Sequence, residues 1–260
     1  MRLADIVALQ EVTPRSVTVW TEALRAGGLP HVRATVAESS AVRRGPHAYG
    51  VLVASRFRLV DATPISAAGW DEKVVSVLLR TPVGAMAMHN VHVPNGSAND
   101  WAKVDLLEAV FTGLSGRNWN QHTVLCGDFN TPQCELPSGQ IITWAQYEDE
   151  EGRFRLSRRI SGKSGLRWDA AERNILSGLQ LFGMRDVFRS LHGYQVAACS
   201  WAVPQAPRTP RRFDHIFASD RLKTTGCEYV TVWREDGLSD HAAIEAVFEG
   251  ERRGSRSMLR

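Results

Sequence analysis

An apolar run from Thr123 to Cys126 breaks at Gly127 into Asp128-Phe129-Asn130-Thr131-Pro132. The run reads as a buried strand that stops at the glycine. Gly127 allows the backbone a tight turn, and Pro132 lacks the N–H that a strand would use. Asp128 and Asn130 lie two apart, where extended residues point to the same side. The chain thus presents an acid and an amide together at the end of a core strand, a placement suited to a site on a rigid scaffold. An ionised Asp binds a hard cation or takes a proton from water, and an Asn amide donates to a phosphate oxygen. Both residues are also ordinary turn formers, so the stretch gains meaning only beside others.

Several other predicted elements end in polar groups. Ala4 to Val12 reads as a strand with Glu11 near its end. Arg15 to Ala26 has helical spacing and closes at Gly27-Gly28. His31–Ser40, Tyr49–Ser55, Val74–Arg80 and Gly84–His92 read as strands, the last two forming a hairpin. Asn90 and His92 alternate onto one side, ahead of the turn Pro94-Asn95-Gly96. A helix is expected over Trp101–Leu114, capped by Asn99 or Asp100. Residues 135–165 are irregular. They carry the acidic run Glu148 to Glu151, and a basic run of Arg153, Arg155, Arg158, Arg159, Lys163 and Arg167 begins within them. A solvated loop is the plain reading of these charges, and an arm touching nucleic-acid phosphates is the functional one.

A helix over Asp169–Leu181 and a helical turn over Asp186–Leu191 follow. Arg212–Ser219 reads as a strand in which an inward Asp214 needs a partner. Cys227–Trp233 is the next strand, then Ser239-Asp240-His241 and a last strand, Ile244–Phe248. With no linker or repeat, one domain is expected over 1–248, with 249–260 as a basic, disordered tail.

Composition narrows the class. A net charge of +3 and a pI near 8.8 lean mildly toward anionic partners, less than a DNA-coating protein would. Cys126, Cys134, Cys199 and Cys227 have neither Cys-x-x-Cys nor zinc spacing, and read as reduced thiols of a cytoplasmic protein. Met1-Arg2 leads into a broken apolar run that meets Asp5, which is not a signal-peptide pattern. No apolar run approaches the ~20 residues of a membrane helix. Neither a membrane nor a protein partner is expected.

Glu11, His92, Asp128, Asn130, Asp214, Asp240 and His241 all fall near strand ends. Glu11 and Asp240 suit a magnesium-type cation, which prefers oxygen ligands. Asp128 would activate a water or share the metal, and Asp214 would fix the tautomer of His241. His241 and Asn130 would hold the phosphate as it gains charge. The set fits metal-assisted hydrolysis of a phosphate ester. It does not fit a serine hydrolase, because no nucleophile-elbow pattern accompanies it.

The ordered motifs Leu9-Gln10-Glu11, Asn90-Val91-His92-Val93-Pro94-Asn95, Gly127-Asp128-Phe129-Asn130, Arg212-Phe213-Asp214-His215-Ile216 and Ser239-Asp240-His241 resemble the endonuclease/exonuclease/phosphatase superfamily, the DNase I-like fold. The layout from Asp186 to Asp214 is similar to its exonuclease III and abasic-endonuclease branch. The resemblance implies an α/β fold, a four-layer α/β/β/α sandwich of two mostly antiparallel sheets, with a Mg2+ or Mn2+ site. It implies Glu11 and Asp240 at the metal, Asp128 activating water, Asn130 orienting phosphate, and an Asp214–His241 pair. His92 would face the phosphate and Asn95 would contact it.

Two positions depart from that branch: His92 stands where it has a tyrosine, and Arg211 where it has an aromatic. Abasic-site specificity therefore does not follow. The resemblance also implies a strand with an active-site Asn, and a helix, ahead of the Gln10-Glu11 strand. The sequence begins at the latter, so either the start lies upstream or the strand is lost, and two unpaired strand edges are expected. The function expected is a metal-dependent phosphodiester hydrolase, an endonuclease or exonuclease with nucleic acid, foremost DNA, as substrate. The alternatives are a phosphatase or phosphodiesterase for small nucleotides or phospholipid head groups, and a non-catalytic binding scaffold.

Overall fold

Strand pairing brings the polar strand ends to one side of the molecule. The structure is a computed structural model that describes residues 4–65, 69–117, 121–202, 210–252 and 255–259. The chain opens with β1 (Ile6–Val12), α1 (Val17–Ala26), β2 (His31–Ala34), β3 (Gly50–Ser55) and β4 (Leu59–Asp61). The expected hairpin follows as β5 (Val74–Thr81) and β6 (Gly84–His92). Then come α2 (Gly96–Asn99), α3 (Ala102–Ser115) and β7 (His122–Asp128). The irregular stretch holds short hairpins: β8 (Cys134–Glu135) with β9 (Ile141–Ile142), β10 (Gln146–Glu148) with β11 (Phe154–Leu156), and β12 (Arg159–Ile160) with β13 (Lys163–Ser164). The remainder is α4 (Gly165–Leu176), β14 (Met184–Asp186), α5 (Val187–His192), β15 (Asp214–Ser219), β16 (Lys223–Val230), α6 (Val232–Glu235), β17 (Ala243–Arg252) and β18 (Ser255–Leu259).

Three apolar clusters define four layers. The six-stranded sheet has the order β14-β15-β7-β6-β5-β4. It is antiparallel except where β7 runs parallel to β6, a join that requires the crossover through α2 and α3. Val91, Leu125 and Phe217 on one face pack against Val104, Leu107 and Val110 of α3 and Ala171 and Ile175 of α4. Val75, Val77, Met88 and Val124 on the other face pack against Val51 and Val53 of β3 and Ala246 and Phe248 of β17. Beyond that layer, Leu52 and Ala54 of β3 cover Val17 and Leu24 of α1. The period-2 alternation of strands produces this division of faces.

The second β layer consists of two three-stranded sheets, β1-β3-β2 and β16-β17-β18. Among the described residues β1 pairs with β3 alone, and β17 from Ala243 to Val247 pairs with β16 alone.

Several boundaries differ from expectation. β2 stops at Ala34 rather than Ser40, because Thr35 turns its hydroxyl to the Glu72 carbonyl at 2.7 Å. α4 begins at Gly165 rather than Asp169, at a point where a Cβ would lie 1.8 Å from the Ser157 carbonyl oxygen. The segment expected to be a disordered tail instead pairs as β17 and β18, from Phe248 opposite Leu259 to Arg252 opposite Ser255. Main-chain pairing of this kind needs no apolar side chains. Among the described residues no helix is long and apolar enough to cross a membrane.

Asn90 fastens the two β layers together. Its fully buried amide donates to the Leu9 carbonyl at 2.9 Å and the Leu52 carbonyl at 3.0 Å. Its own oxygen accepts from Gln10 Nε2 at 2.6 Å. A buried polar group left without a partner costs about 1–3 kcal/mol. Asn90→Ala is therefore expected to destabilise the fold by about 2–4 kcal/mol. Urea denaturation measures this, and a loss under about 0.5 kcal/mol would show that the layers do not depend on the contact.

Candidate active site

Register sets the centre of the site. Antiparallel pairing places Asp214 opposite Asp128, and parallel pairing places His92 opposite Asp128. β7 does not stop at Gly127 but runs on to Asp128. Gly127 has φ +135°, and a Cβ there would lie 1.9 Å from the Val91 carbonyl oxygen. Glycine is required because the β6 backbone passes so close.

The chain then turns through Asn130 at φ +53°. Asn130 donates its backbone N–H to Asp128 Oδ1 at 2.8 Å, and its amide to Asp128 Oδ2 at 3.0 Å and to the Val93 carbonyl at 2.9 Å. A left-handed turn, not strand alternation, thus brings the acid and the amide together. Both amide hydrogens are committed, so Asn130 holds Asp128 in place.

Glu11 reaches the site from the other layer. The β1–β3 register shifts between Leu9 and Val12, and Glu11 has φ +57°. A bulge of this kind re-aims a side chain, and a positive φ on a bulky residue is strain of the sort found at functional sites. Glu11 Oε1 lies 3.8 Å from His92 Nε2, which lies 3.9 Å from Asp128 Oδ2.

The two imidazoles are in opposite states. His241 Nδ1 is 2.7 Å from Asp214 Oδ2. Burial opposes the imidazolium, but the hydrogen bond and charge of Asp214 outweigh it and raise the pKa to about 9. Burial, with Lys73 and His241 nearby, pushes His92 down to about 3, so it is neutral. Its Nδ1 is buried with no hydrogen-bond partner.

The carboxylates crowd one another. Burial and then Asp214 and Glu11 raise the Asp128 pKa above the usual carboxylate range. Burial and then Asp240 raise that of Glu11. Ligating atoms of Asp128, Asp214 and His241 all lie within 4.8 Å of one another. Glu11 and Asp240, the pair read from the sequence as metal ligands, stand outside this tight group, Glu11 with an exposed side chain and Asp240 exposed. The convergence of oxygen donors and excess negative charge fits a hard divalent cation.

Lys73 is a site residue that sequence reasoning missed, because a lysine before a strand reads as a solvated charge. It is 1% exposed, donates to the Tyr49 carbonyl at 2.9 Å, and packs 5.7 Å from the Tyr49 ring centroid. Burial lowers its pKa to about 8, against the charges of Glu72, Glu11 and Asp128. Asn95 caps α2, with Oδ1 accepting from the Ser97 N–H at 2.8 Å, and lines the same hollow as Asn130.

The basic runs divide. Arg153 and Arg155 pair with Asp149, and Arg167 pairs with Asp105 and Glu108. Arg212 is buried between Glu135 and Asp186, so it is a structural cation and not a phosphate contact. Arg158, Arg159 and Lys163 are exposed. Arg208 lies outside the described residues.

A family model described as the Endonuclease/Exonuclease/phosphatase family matches residues 2–241. The chain belongs to that family, whose name covers enzymes that hydrolyse phosphoester bonds. Its fold is similar to an AP endonuclease from Archaeoglobus fulgidus, with a TM-score of 0.63 and 18% identity over 94% of this chain and 88% of that one. It is also similar to a D. rerio TDP2 humanized by 14 mutations, with a TM-score of 0.63 and 14% identity over 94% and 85% of the two chains. A D. rerio TDP2 complexed with single strand DNA product gives 0.61 and 13% identity over 94% and 85%. At these identities the likeness is one of fold. No curated protein gives a significant match.

The Asp214–His241 pair has a pH signature. The His241 pKa is raised in the folded protein, so the pair's stabilisation is complete below the ordinary value of 6.5 and disappears as pH rises through about 9. In metal-free Asp214→Asn the imidazole pKa is expected to fall toward or below 6.5. NMR titration of the ring C–H resonance reads it directly, and an unchanged value would break the assignment.

Proposed function

We propose that the protein is a divalent-metal-dependent phosphodiester hydrolase acting on nucleic acid, foremost DNA, with Asp128 as the base that activates water. The observation that supports this most is the convergence of Asp128 with the Asp214–His241 pair, within reach of Glu11 and beside Lys73. Asp128 is buried, fixed by two hydrogen bonds from Asn130, and raised in pKa. A raised carboxylate pKa brings a general base nearer to its operating pH. Water oxygen attacks phosphorus, its proton passes to Asp128, and the bond from phosphorus to the leaving oxygen breaks.

The imidazolium of His241 donates to the phosphoryl oxygen that gains charge, and Asp214 holds that ring in position. Neutral His92 stands between Glu11 and Asp128 and faces the same space. The Lys73 ammonium adds positive charge beside it. Glu11 and Asp240, with Asp128, would hold a magnesium or manganese ion, whose positive charge would offset the negative charge of the phosphate. The solved TDP2 with a single strand DNA product and the AP endonuclease support a nucleic-acid substrate.

Asp128→Ala is expected to lower hydrolysis of an oligonucleotide in Mg2+ by about 10²-fold or more, with an unchanged circular-dichroism spectrum. EDTA should abolish wild-type activity, and chelator-resistant activity would remove the metal from the reading. Lys73→Met should lower kcat/KM about 10–100-fold, the range for a hydrogen bond to a charged group. Steady-state kinetics on one oligonucleotide tests this, and unchanged kinetics would place Lys73 outside the site.

A further inference from the structure

Among the imidazoles around the site, His92 is the one whose nitrogens find no partner. It is 5% exposed. Within the described residues neither ring nitrogen makes a hydrogen bond, and Nδ1 is buried. The neighbouring rings are engaged: His241 Nδ1 meets Asp214, and His215 bonds both Asp186 and the Thr131 carbonyl. Buried polar side chains in folded proteins nearly always have a partner. An imidazole with two idle nitrogens beside a cluster of carboxylates therefore points to a partner that is not protein.

The ring is held in one orientation. Its strand position lies opposite Asp128, its backbone N–H donates to the Lys73 carbonyl at 3.0 Å, and its ring lies against Tyr49 with centroids 6.1 Å apart. Nε2 consequently stands 3.8 Å from Glu11 Oε1 and 3.9 Å from Asp128 Oδ2. Both separations are too long for a hydrogen bond. They suit atoms that share an ion, since ligands about 2.1 Å from one centre lie about 3–4 Å from each other. An anion at this point would face two carboxylates and be repelled by both, whereas a cation would be attracted by both.

We propose that His92 Nε2 is a ligand of the divalent cation, together with Glu11 and Asp128, and that this nitrogen turns the preference of the site from magnesium toward manganese. The inference rests on the metal-dependent reading above and deepens it. Magnesium is a hard ion that takes oxygen ligands, whereas transition-metal ions accept imidazole nitrogen as well. Carboxylates alone suit either ion; an imidazole beside them does not. Nε2 supplies its lone pair, and the ring proton stays on Nδ1. This role differs from the one the family resemblance implies, in which His92 faces the phosphate.

The test is pulsed electron paramagnetic resonance of the full chain loaded with Mn2+. The bound ion is expected to show 14N modulation from a directly ligated imidazole, and labelling the protein with 15N-histidine should change it. The modulation should vanish in His92→Phe, which keeps a ring against Tyr49, and persist in His241→Phe; thermal melts confirm folding. Loss of an outer-shell partner alone costs 10–100-fold in metal affinity, so His92→Phe should weaken Mn2+ binding by about tenfold or more. The excess of Mn2+ over Mg2+ affinity, measured by competition, should shrink with it. If His92→Phe does not fold, persistence of the signal in His241→Phe still supports the assignment. Bound Mn2+ without nitrogen modulation, or modulation lost in His241→Phe instead, overturns the inference and leaves the metal reading standing. Nitrogen modulation in a protein that hydrolyses no phosphodiester would overturn the catalytic reading and leave the ligand standing. A chain that binds no Mn2+ overturns both.

Discussion

The site lies across a seam between two β layers, and the seam holds because Asn90 satisfies carbonyls that would otherwise be buried without donors. Leu9 and Leu52 belong to one layer and Asn90 to the other. The bulge that turns Glu11 toward His92 begins at Leu9, so the same amide that joins the layers anchors the strand carrying Glu11. Asp128, His92 and Asp214 come from the six-stranded sheet, where register alone aligns them. His241 comes from the loop before β17, through its hydrogen bond to Asp214. A loss of registry between the layers would separate these two sets of groups.

Electrostatics distinguishes the site from the rest of the interior. Glu135 and Asp186 are buried behind it, and burial alone would raise both. Arg212 overrides that for both, with Arg189 helping at Glu135, holding Glu135 down to about 2 and Asp186 below the usual range. His215 bonds both Asp186 and the Thr131 carbonyl, which ties this satisfied network to the turn after Asp128. At the site the balance is reversed. Asp128 and Glu11 are raised, and Lys73 and His241 leave carboxylate charge uncompensated. Charge that is paired elsewhere and left in excess here is what a cation or phosphate-processing centre requires, whereas a structural network needs full pairing.

The legible part of the sequence was the part governed by short-range periodicity. β5, β6 and the central run of β7 announce themselves through their apolar residues, and the polar residues at the ends of β6 and β7, His92 and Asp128, stand out against those runs. The geometry around those residues was not legible. Gly127 read as a strand stop because its reason, a passing β6 carbonyl, comes from a distant segment. The bulge that turns the Glu11 side chain has no clear local signature in the sequence. The burial of Lys73 and Lys103 was not legible either, since it depends on Tyr49 and Glu172, supplied from elsewhere in the fold. The hairpins between 134 and 164 are too short for periodicity to register.

The Lys103–Glu172 pair shows why buried polar contacts matter even to groups that react with nothing. Glu172 Oε1 accepts from both Lys103 and Trp168 Nε1, and its other oxygen accepts from the Trp144 backbone. Removing one partner of such a pair typically costs about 3–5 kcal/mol, because the other charge is stranded. That energy maintains a particular arrangement: Lys103 holds the Asn130 carbonyl from below while Trp144 holds it from the side. These contacts support the left-handed turn at Asn130, from which Asp128 takes two hydrogen bonds. The ion pair is thus joined, through the Asn130 turn, to the Asp128 carboxylate.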